Sequence, residues 1–412
     1  MVSISSRSDS DWDIDDNMRE LYLLCETAGL EVTEKASHII RDIDPRSYIG
    51  KGKADSIAHM AHSNNTDCVV FDIDLSPSQA RNLEKIIDRK IIDRSGLILD
   101  IFAKNARTKE AKTQVELAQL NYLLPRLTRH WTHLSRQEGG VGIGLRGPGE
   151  TQLEVDKRIV RKKIKKLSDL LDKIEKRRIV KSKKRQNFFS GALVGYTNTG
   201  KSTLLNALTE ANVLVEDKLF ATLDSTVRKI TVKNHYDILL SDTVGFIKNL
   251  PHHLIASFKS TLGEARDADV LLHVADISHP RLEEQIVSVN KVLRSLDIHK
   301  KPAIMVFNKL DLSTNDDLLR RMKSQYNNAV FISALRGIGL KTLVDEVTKA
   351  ASRDYIEEDI EVPIANYHNI NKIKKIGSVI STEFNDGYVS VHYRIKKEHS
   401  GIIRNILAGK EK

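Results

Sequence analysis

Residues 195–202 constrain the fold of this 412-residue chain more than any other feature. They read Gly-Tyr-Thr-Asn-Thr-Gly-Lys-Ser, the complete G-x-x-x-x-G-K-[ST] pattern of a phosphate-binding loop. The apolar run 188–194 predicts a buried strand before the loop, and the leucines of 202–209 predict a helix after it. Because the motif requires strand, loop and helix in this order, the sequence predicts a nucleotide-binding α/β domain.

Each part of the loop has a chemical role in phosphate binding. Its glycines let backbone N–H groups and the helix N-terminus point at negative charge. Lys201 is expected to reach the outer phosphates as a catalytic residue, and the Ser202 hydroxyl is expected to hold Mg²⁺. The predicted phosphate-binding residues are Gly195, Tyr196, Thr197, Asn198, Thr199, Gly200, Lys201, Ser202 and Thr203.

Two later segments predict which base is bound. The first follows the apolar run 303–307, at the carboxyl end of a predicted strand, and comprises Asn308, Lys309, Leu310 and Asp311. An aspartate there can accept two hydrogen bonds from guanine, and the same site rejects adenine because the carboxylate would stay unpaired. The asparagine and lysine would hold the base from its other edge and face. The second segment follows the short predicted strand 330–332 and comprises Ser333, Ala334 and Leu335, with the Ala334 N–H facing the guanine carbonyl oxygen. GTP and GDP are the predicted ligands.

A third motif and a threonine-containing segment complete the predicted site. The motif ends the predicted strand 237–241 and comprises Asp242, Thr243, Val244 and Gly245. Asp242 is expected to bind Mg²⁺ through water, and the Gly245 N–H to contact the γ-phosphate as part of catalysis. The candidate first switch loop comprises Phe220, Ala221, Thr222, Leu223 and Asp224. A threonine in such a loop closes over Mg²⁺ and the γ-phosphate, so Thr222 is predicted as a metal ligand and catalytic residue, with Thr226 as the alternative.

The residue after the third motif raises a question about hydrolysis. Many GTPases carry a glutamine there, which orients the attacking water, whereas this chain has Phe246. Hydrolysis is therefore expected to be slow until a partner supplies a group, unless another element positions the water. Asn198 offers a partial substitute if it helps to bind K⁺ beside the β- and γ-phosphates. The alternative is a purely conformational role for Asn198 in a tight turn.

Composition places this domain in a larger protein. The length predicts two to four domains, and no apolar run approaches the ~18 residues of a membrane span. Cys25 and Cys68 form neither a metal-ligand spacing nor a disulfide framework, and residues 1–16 lack signal-peptide character. We expect a cytoplasmic protein and a monomer, with peripheral membrane association left open.

Positive charge is concentrated in one segment. Residues 156–185 carry fifteen Lys and Arg against four acids, whereas the whole chain has a net charge of +10. Apolar residues at heptad spacing predict a long amphipathic helix there, paired with 113–124 as an antiparallel hairpin. The glycine-rich segment 137–150 between them is expected to be a loop that approaches a nucleic acid backbone. RNA is favoured over a membrane because the basic face lacks Trp or Phe; a solvated helix is the simpler alternative.

These observations predict a multidomain α/β architecture. Residues 1–110 are expected to form an N-terminal α/β domain, and 111–186 a helical, coiled-coil-like linker. Residues 187–352 are expected to form a P-loop GTPase domain. Two alternating segments, 377–384 and 387–395, predict that 353–412 form a small α+β domain.

Four motifs together resemble the HflX family of translation-factor-related GTPases. Besides the phosphate-binding loop, they are Leu-Leu-Pro-Arg-Leu at 123–127, Trp-Thr-His-Leu-Ser-Arg-Gln at 131–137 and Arg-Gly-Pro-Gly-Glu-Thr-Gln-Leu-Glu at 146–154. The resemblance implies an N-terminal HflX domain, a helical linker, a Ras-like GTPase domain and, in some members, a small C-terminal domain. It also implies binding to the large ribosomal subunit and GTP-dependent dissociation of ribosomes stalled under stress. A phenylalanine directly after Asp-Thr-Val-Gly, here Phe246, also resembles the family pattern.

Three functions remain open at this point. The first is a GTPase that binds ribosomes through 137–185 and the N-terminal domain, contacts rRNA and splits or rescues particles. The second is a GTPase of ribosome assembly or RNA modification, which the same nucleotide motifs would serve. The third is an RNA-binding scaffold that uses GTP as a structural ligand without hydrolysing it.

Overall fold

A computed structural model gives the fold of the chain. It describes residues 1–6, 11–127, 152–183, 188–209, 219–220, 226–232, 236–247, 263–313, 315–397, 400–401 and 403. The chain divides into two compact units. The first comprises Met1–Glu175, Glu216–Asp224 and Asn249–Thr261, and the second comprises Lys176–Val215, Ser225–Lys248 and Leu262–Lys412. The predicted glycine-rich loop, 137–150, lies outside the described residues.

The first unit is built around four short strands. These are β1 (Val2–Ser6), β2 (Ala36–Ile40), β3 (Cys68–Val70) and β4 (Lys90–Ile92). β1 pairs with β2 and β3 with β4, both in parallel, and a bridge between Val2 and Phe71 joins the pairs. Among the described residues before 127, the helices are α1 (Asp11–Ala28), α2 (Lys51–Ser63), α3 (Pro77–Ile87), α4 (Arg94–Asn105) and α5 (Lys109–Leu123). Residues Leu124–Arg126 add one 3₁₀ turn.

The predicted βαβ pattern of this unit is confirmed, and its helix boundary has a local cause. Ser76 caps α3 by accepting from the Gln79 N–H, while the Gln79 side chain accepts from the Ser76 N–H. Pro77 follows at the first helical position, where its missing N–H costs nothing. Leu83 and Ile87 of this helix are buried in the core beside β1 and β3.

The predicted basic helix is also present as α6 (Gln152–Lys183). Its seam residues Ile164, Leu167 and Leu171 are shielded from solvent more than the lysines between them, as the heptad spacing requires. Lys163 pairs with Glu116 of α5 at 2.8 Å, which joins the two helices that the sequence analysis pairs. No helix of the described residues is both long and apolar enough to cross a membrane.

The second unit contains a six-stranded sheet in the order β10-β9-β8-β5-β7-β6. Its strands are β5 (Phe189–Gly195), β6 (Thr226–Val232), β7 (Tyr236–Asp242), β8 (Val270–Asp276), β9 (Ala303–Asn308) and β10 (Ala329–Phe331). Among these described strands, only β6 runs antiparallel to its neighbour. The helices are α7 (Lys201–Thr209), α8 (Gly263–Asp267), α9 (Leu282–Ser295), α10 (Asp316–Gln325) and α11 (Leu340–Asp354), with a 3₁₀ turn at Leu310–Leu312.

This topology explains why the motifs lie where they do. Parallel strands covered on both faces are apolar throughout, and ligands bind beyond their carboxyl ends. β5 ends at Gly195, β7 at Asp242 and β9 at Asn308, so three separate motifs reach the same edge of the sheet.

A small α+β region completes the second unit. Strands β11 (Tyr355–Pro363), β12 (Ser378–Asn385) and β13 (Tyr388–Lys396) form an antiparallel sheet with β13 in the centre, packed with α12 (His368–Ile376). A 3₁₀ turn spans Ile364–Asn366. The alternating pattern predicted β12 and β13, and the structure adds β11. Lys396 pairs with Asp269 at 3.0 Å, and Asp269 also accepts from the Ser190 hydroxyl of β5.

Candidate nucleotide-binding site

The phosphate-binding loop joins β5 to α7, as its motif predicts. Gly200 has a φ of +87°, and a Cβ atom there would collide with the Asn308 amide. A Cβ atom at Gly195 would collide with the Val274 carbonyl oxygen of β8. Asn198 also has a positive φ, +58°, which asparagine tolerates better than most residues. The loop therefore requires glycine at both ends, for steric reasons visible in this chain.

Lys201 is the first residue of α7 and is buried beneath the loop. Its ammonium donates hydrogen bonds to the carbonyl oxygens of Tyr196 (2.6 Å) and Gly195 (3.2 Å). Burial lowers the pKa of Lys201 to about 8, and the Asp242 carboxylate partly opposes this decrease. Nucleotide phosphates would favour the charged ammonium, so the site is prepared for an anion.

The residues predicted to hold Mg²⁺ are only partly described by the structure. The Ser202 hydroxyl donates to Asp242 Oδ2 at 2.6 Å, and Asp242 is fully buried. Hydroxyl and carboxylate oxygens at this spacing suit Mg²⁺, which prefers hard oxygen ligands. Thr222, the third predicted ligand, lies outside the described residues together with Ala221, Leu223 and Asp224.

The third motif lies directly against the phosphate-binding loop. Phe246 donates its N–H to the Gly195 carbonyl (3.0 Å) and accepts from the Thr197 N–H (2.7 Å), which forms a parallel bridge between the segments. The Phe246 side chain is only 2% exposed. The aromatic ring is therefore packed in the protein interior. Gly245 is required here, because a Cβ atom there would lie 2.8 Å from Thr197 Cα.

Asn308 links the predicted base-binding segments to the loop. Its Nδ2 donates to the Thr199 carbonyl (2.8 Å), and its Oδ1 accepts from the Ala334 N–H (2.9 Å). The Ala334 N–H, predicted to contact guanine, is therefore hydrogen-bonded to Asn308 in this structure. Ser333 is buried, whereas the Leu335 side chain is exposed. Asp311 is also exposed, on the 3₁₀ turn that follows β9.

Asp276, which holds Lys309, belongs to none of the sequence motifs. Lys309 has a φ of +64°, and its ammonium lies 2.8 Å from Asp276 Oδ2. The other carboxylate oxygen accepts from the N–H (3.0 Å) and the hydroxyl (2.6 Å) of Ser278. Asp276 ends the apolar run of β8, so its position at the carboxyl end of a buried strand was an available signal.

Asp276→Asn is expected to weaken GDP binding roughly tenfold, because an amide retains an oxygen for Ser278 but loses the charge that holds Lys309. A tenfold change corresponds to about 1.4 kcal/mol, close to the lower end of the ~1.5–3 kcal/mol of hydrogen bonds to charged groups. Equilibrium titration with a fluorescent GDP analogue measures the change. The matched control is Asp237→Asn, which removes a more exposed ion pair with Lys229 in the same sheet and is expected to stay within twofold. Equal affinities of both variants would refute the role of Asp276.

The structure brings the described residues of the three predicted motifs and of the segment 333–335 to one edge of the sheet. Phe220 belongs to the first unit, where its ring lies edge-to-face with Phe102 at a centroid distance of 4.7 Å. Its carbonyl accepts from the Asn105 side chain at 2.8 Å. Nucleotide contact by Phe220 stays a prediction, as do the individual roles of the other site residues.

Comparisons with known proteins identify the family. Three family models match consecutive parts of the chain: GTP-binding GTPase N-terminal (15–103), GTP-binding GTPase Middle Region (105–185) and 50S ribosome-binding GTPase (190–309). GTPase HflX of Escherichia coli is 44% identical over 356 residues, covering 86% of this chain and 83% of the relative. GTPase HflX of Lacrimispora saccharolytica is 41% identical over 402 residues, covering 97% and 93%. The chain belongs to the GTPase HflX family.

Family membership confirms three predictions made from the sequence: the HflX resemblance, the multidomain α/β fold and GTPase activity. A GTP-binding protein from Sulfolobus solfataricus, solved in complex with GDP, is 25% identical with a TM-score of 0.44, covering 86% of this chain and 99% of that one. Guanine nucleotide is the ligand class of this chain because it belongs to a GTPase family.

Proposed function

We propose that this HflX GTPase binds the large ribosomal subunit and couples its nucleotide state to ribosome dissociation or to rescue of ribosomes stalled under stress. The observation that carries the proposal is the charge of α6. Its middle section exposes Arg161, Lys162, Lys163, Lys165 and Lys166 to solvent. Such a single-sign surface attracts a polyanion, and rRNA supplies phosphates at high density. The family description for residues 190–309, a 50S ribosome-binding GTPase, supports the same partner.

The proposed reaction uses metal ions held by the site. Mg²⁺ would be held by Ser202, Asp242 and Thr222, and would neutralise charge on the β- and γ-phosphates. K⁺ would lie near Asn198, which is exposed at the loop. The protein would work in the cytoplasm as a monomer, with a low intrinsic rate that ribosomes raise; partner-assisted GTPases gain ~10³–10⁵-fold.

Sedimentation tests the proposal directly. The protein is centrifuged with 30S, 50S and 70S particles in GDP or a non-hydrolysable GTP analogue, and cosedimentation with 50S in the analogue state is expected. Light scattering of 70S ribosomes then distinguishes dissociation from the alternative, a GTPase of ribosome assembly or RNA modification. Binding to precursor particles without any loss of 70S scattering would favour that alternative. Equal 50S affinity in both nucleotide states would refute coupling.

Neutralising Lys162, Lys163, Lys165 and Lys166 to glutamine is expected to weaken 50S binding and to flatten its salt dependence. Each lost phosphate contact lowers the log–log salt slope by ~0.7–0.9, so four contacts would change it by about 3. Affinity is measured at several KCl concentrations. Intrinsic GTP turnover should be retained, because these residues lie outside the nucleotide site.

The matched control replaces the same four lysines by arginine. Arginine keeps the positive charge, so its salt slope is expected to match that of the unchanged protein. If the glutamine variant also kept this slope, α6 would not be the ribosome-binding surface.

A further inference from the structure

Thr197 carries a buried hydroxyl with no assigned task. The residue is 5% exposed, and its Oγ1 has no hydrogen-bond partner among the described residues. Burial alone does not explain this, because the Thr199 hydroxyl in the same loop is buried as well and donates to the Tyr196 carbonyl at 3.0 Å. An unsatisfied buried hydroxyl costs ~1–3 kcal/mol, so its presence in the loop calls for a ligand.

The surroundings of Thr197 indicate which ligand. A Cβ atom built on Gly245 would lie 2.8 Å from Thr197 Cγ2 and 3.0 Å from the Lys201 ammonium. The threonine side chain, the lysine ammonium and the glycine backbone therefore meet at one point. The Thr197 N–H is held by the Phe246 carbonyl at 2.7 Å, which fixes the backbone that carries the hydroxyl. Gly245 and Lys201 are the residues expected to contact the γ-phosphate. Thr197 Cγ2 is the side-chain atom nearest to Gly245, and Oγ1 is bonded to the same Cβ, so the hydroxyl belongs to a side chain beside the expected γ-phosphate position.

We propose that Thr197 is a catalytic residue whose hydroxyl holds the attacking water against the γ-phosphate. In many GTPases a glutamine at the position of Phe246 performs this task. Here that side chain is apolar and buried, while Thr197, the neighbour of its bridge partner Tyr196, carries a hydrogen-bonding hydroxyl. The inference rests on the GTPase activity of the family and is independent of any ribosomal partner.

The chemistry requires no proton transfer to threonine. The water oxygen forms a bond to the γ-phosphorus, and the bond from that phosphorus to the β–γ bridging oxygen breaks, with its electron pair leaving on GDP. In the transition state, Thr197 Oγ1 accepts a hydrogen bond from the water and donates a hydrogen bond to a γ-phosphate oxygen, keeping its own proton. Both water protons end on the released phosphate, so GTP⁴⁻ and H₂O give GDP³⁻ and H₂PO₄⁻. The hydroxyl thus contributes by orientation and hydrogen bonding.

Thr197→Val and Thr197→Ser test the proposal, because valine removes the hydroxyl at nearly constant shape and serine retains it. Valine is expected to lower kcat by about 10²-fold, the usual cost of losing one transition-state hydrogen bond. Affinity for GDP and for a non-hydrolysable GTP analogue should change less than about threefold, well below the ~1.4 kcal/mol of a tenfold change. Serine should retain kcat within roughly fivefold. Formation of a GDP–aluminium fluoride complex, which mimics the transferring phosphoryl group, should be lost with valine and kept with serine.

Two further threonines provide controls. Thr348→Val removes a hydroxyl that donates to the Val344 carbonyl in α11, and is expected to leave kcat unchanged. Thr199→Val removes the partnered loop hydroxyl and should weaken nucleotide binding instead of lowering kcat selectively. Unchanged kcat in Thr197→Val, equal slowing by serine and valine, or a matching loss of analogue affinity would each overturn the proposal. If Thr197→Val fails to bind GDP, Thr197→Ala removes the same hydroxyl without the branched side chain and is judged by the same criteria.

Discussion

Asp311→Asn is expected to lower the affinity for GDP and GTP by at least ~10²-fold and to favour xanthine nucleotides instead. A carboxylate accepts two hydrogen bonds from the N1 and N2 hydrogens of guanine, each worth ~1.5–3 kcal/mol when one partner is charged. An amide would place its NH₂ group against those donors, whereas xanthine presents a carbonyl at the corresponding edge. Competition between GDP and XDP for the labelled nucleotide measures the change in preference.

The position of Asp311 makes this test specific. The residue is exposed on the 3₁₀ turn, which is fixed by a hydrogen bond from the Leu310 N–H to the Ile332 carbonyl at 3.0 Å. Removing its charge should therefore leave the fold unaffected. Asp317→Asn, on the first turn of α10, is the matched control and should keep the preference for GDP. Unchanged GDP affinity in Asp311→Asn would show that 308–311 do not read the base.

The nucleotide-binding edge could be predicted from the sequence because each of its motifs is local. The glycines of the phosphate-binding loop are visible as a short sequence motif. So is an aspartate at the end of an apolar run. The strand before the phosphate-binding loop, the helix after it and the two later motifs were found in this way. The three strand ends are far apart in the sequence, yet a parallel sheet brings their carboxyl ends together.

Contacts between residues far apart in the sequence could not be predicted, because no local sequence pattern indicates them. Asp276 holds Lys309 from a different strand, and an aspartate after an apolar run has many other roles. Phe220 packs against Phe102, far away in the sequence, and so lies in the first unit. β1 and β2 are short and include serine and histidine, which gives them no clear strand signal. The unpaired hydroxyl of Thr197 is a property of its surroundings, which spacing does not reveal.

Lys201→Ala is expected to reduce GTP turnover by at least ~10³-fold, the largest loss expected for a single residue of the loop. Two contributions combine. The ammonium provides positive charge at the outer phosphates in a buried site, and its bonds to the Gly195 and Tyr196 carbonyls hold the loop together. Ser202→Ala is also expected to abolish turnover, through loss of a Mg²⁺ ligand. Single-turnover phosphate release at saturating GTP measures both variants. Lys341→Ala, in the first turn of α11, is the control and should turn over normally.

The pH dependence of GDP affinity shows whether Lys201 acts through its charge or through its packing. Burial lowers this pKa to about 8 without nucleotide, whereas bound phosphates favour the protonated form and raise it. Nucleotide binding should therefore take up a proton above pH 8, and GDP affinity should fall by up to ~10-fold per pH unit there. Lys201→Arg keeps a charge that does not titrate in this range, so its affinity should be independent of pH between 7 and 9.5. If wild-type affinity stayed constant over the same range, the ammonium would already be fully protonated before the phosphates arrive. Its contribution would then be geometric positioning of the loop and the phosphates, and Lys201→Arg would lose turnover as severely as Lys201→Ala.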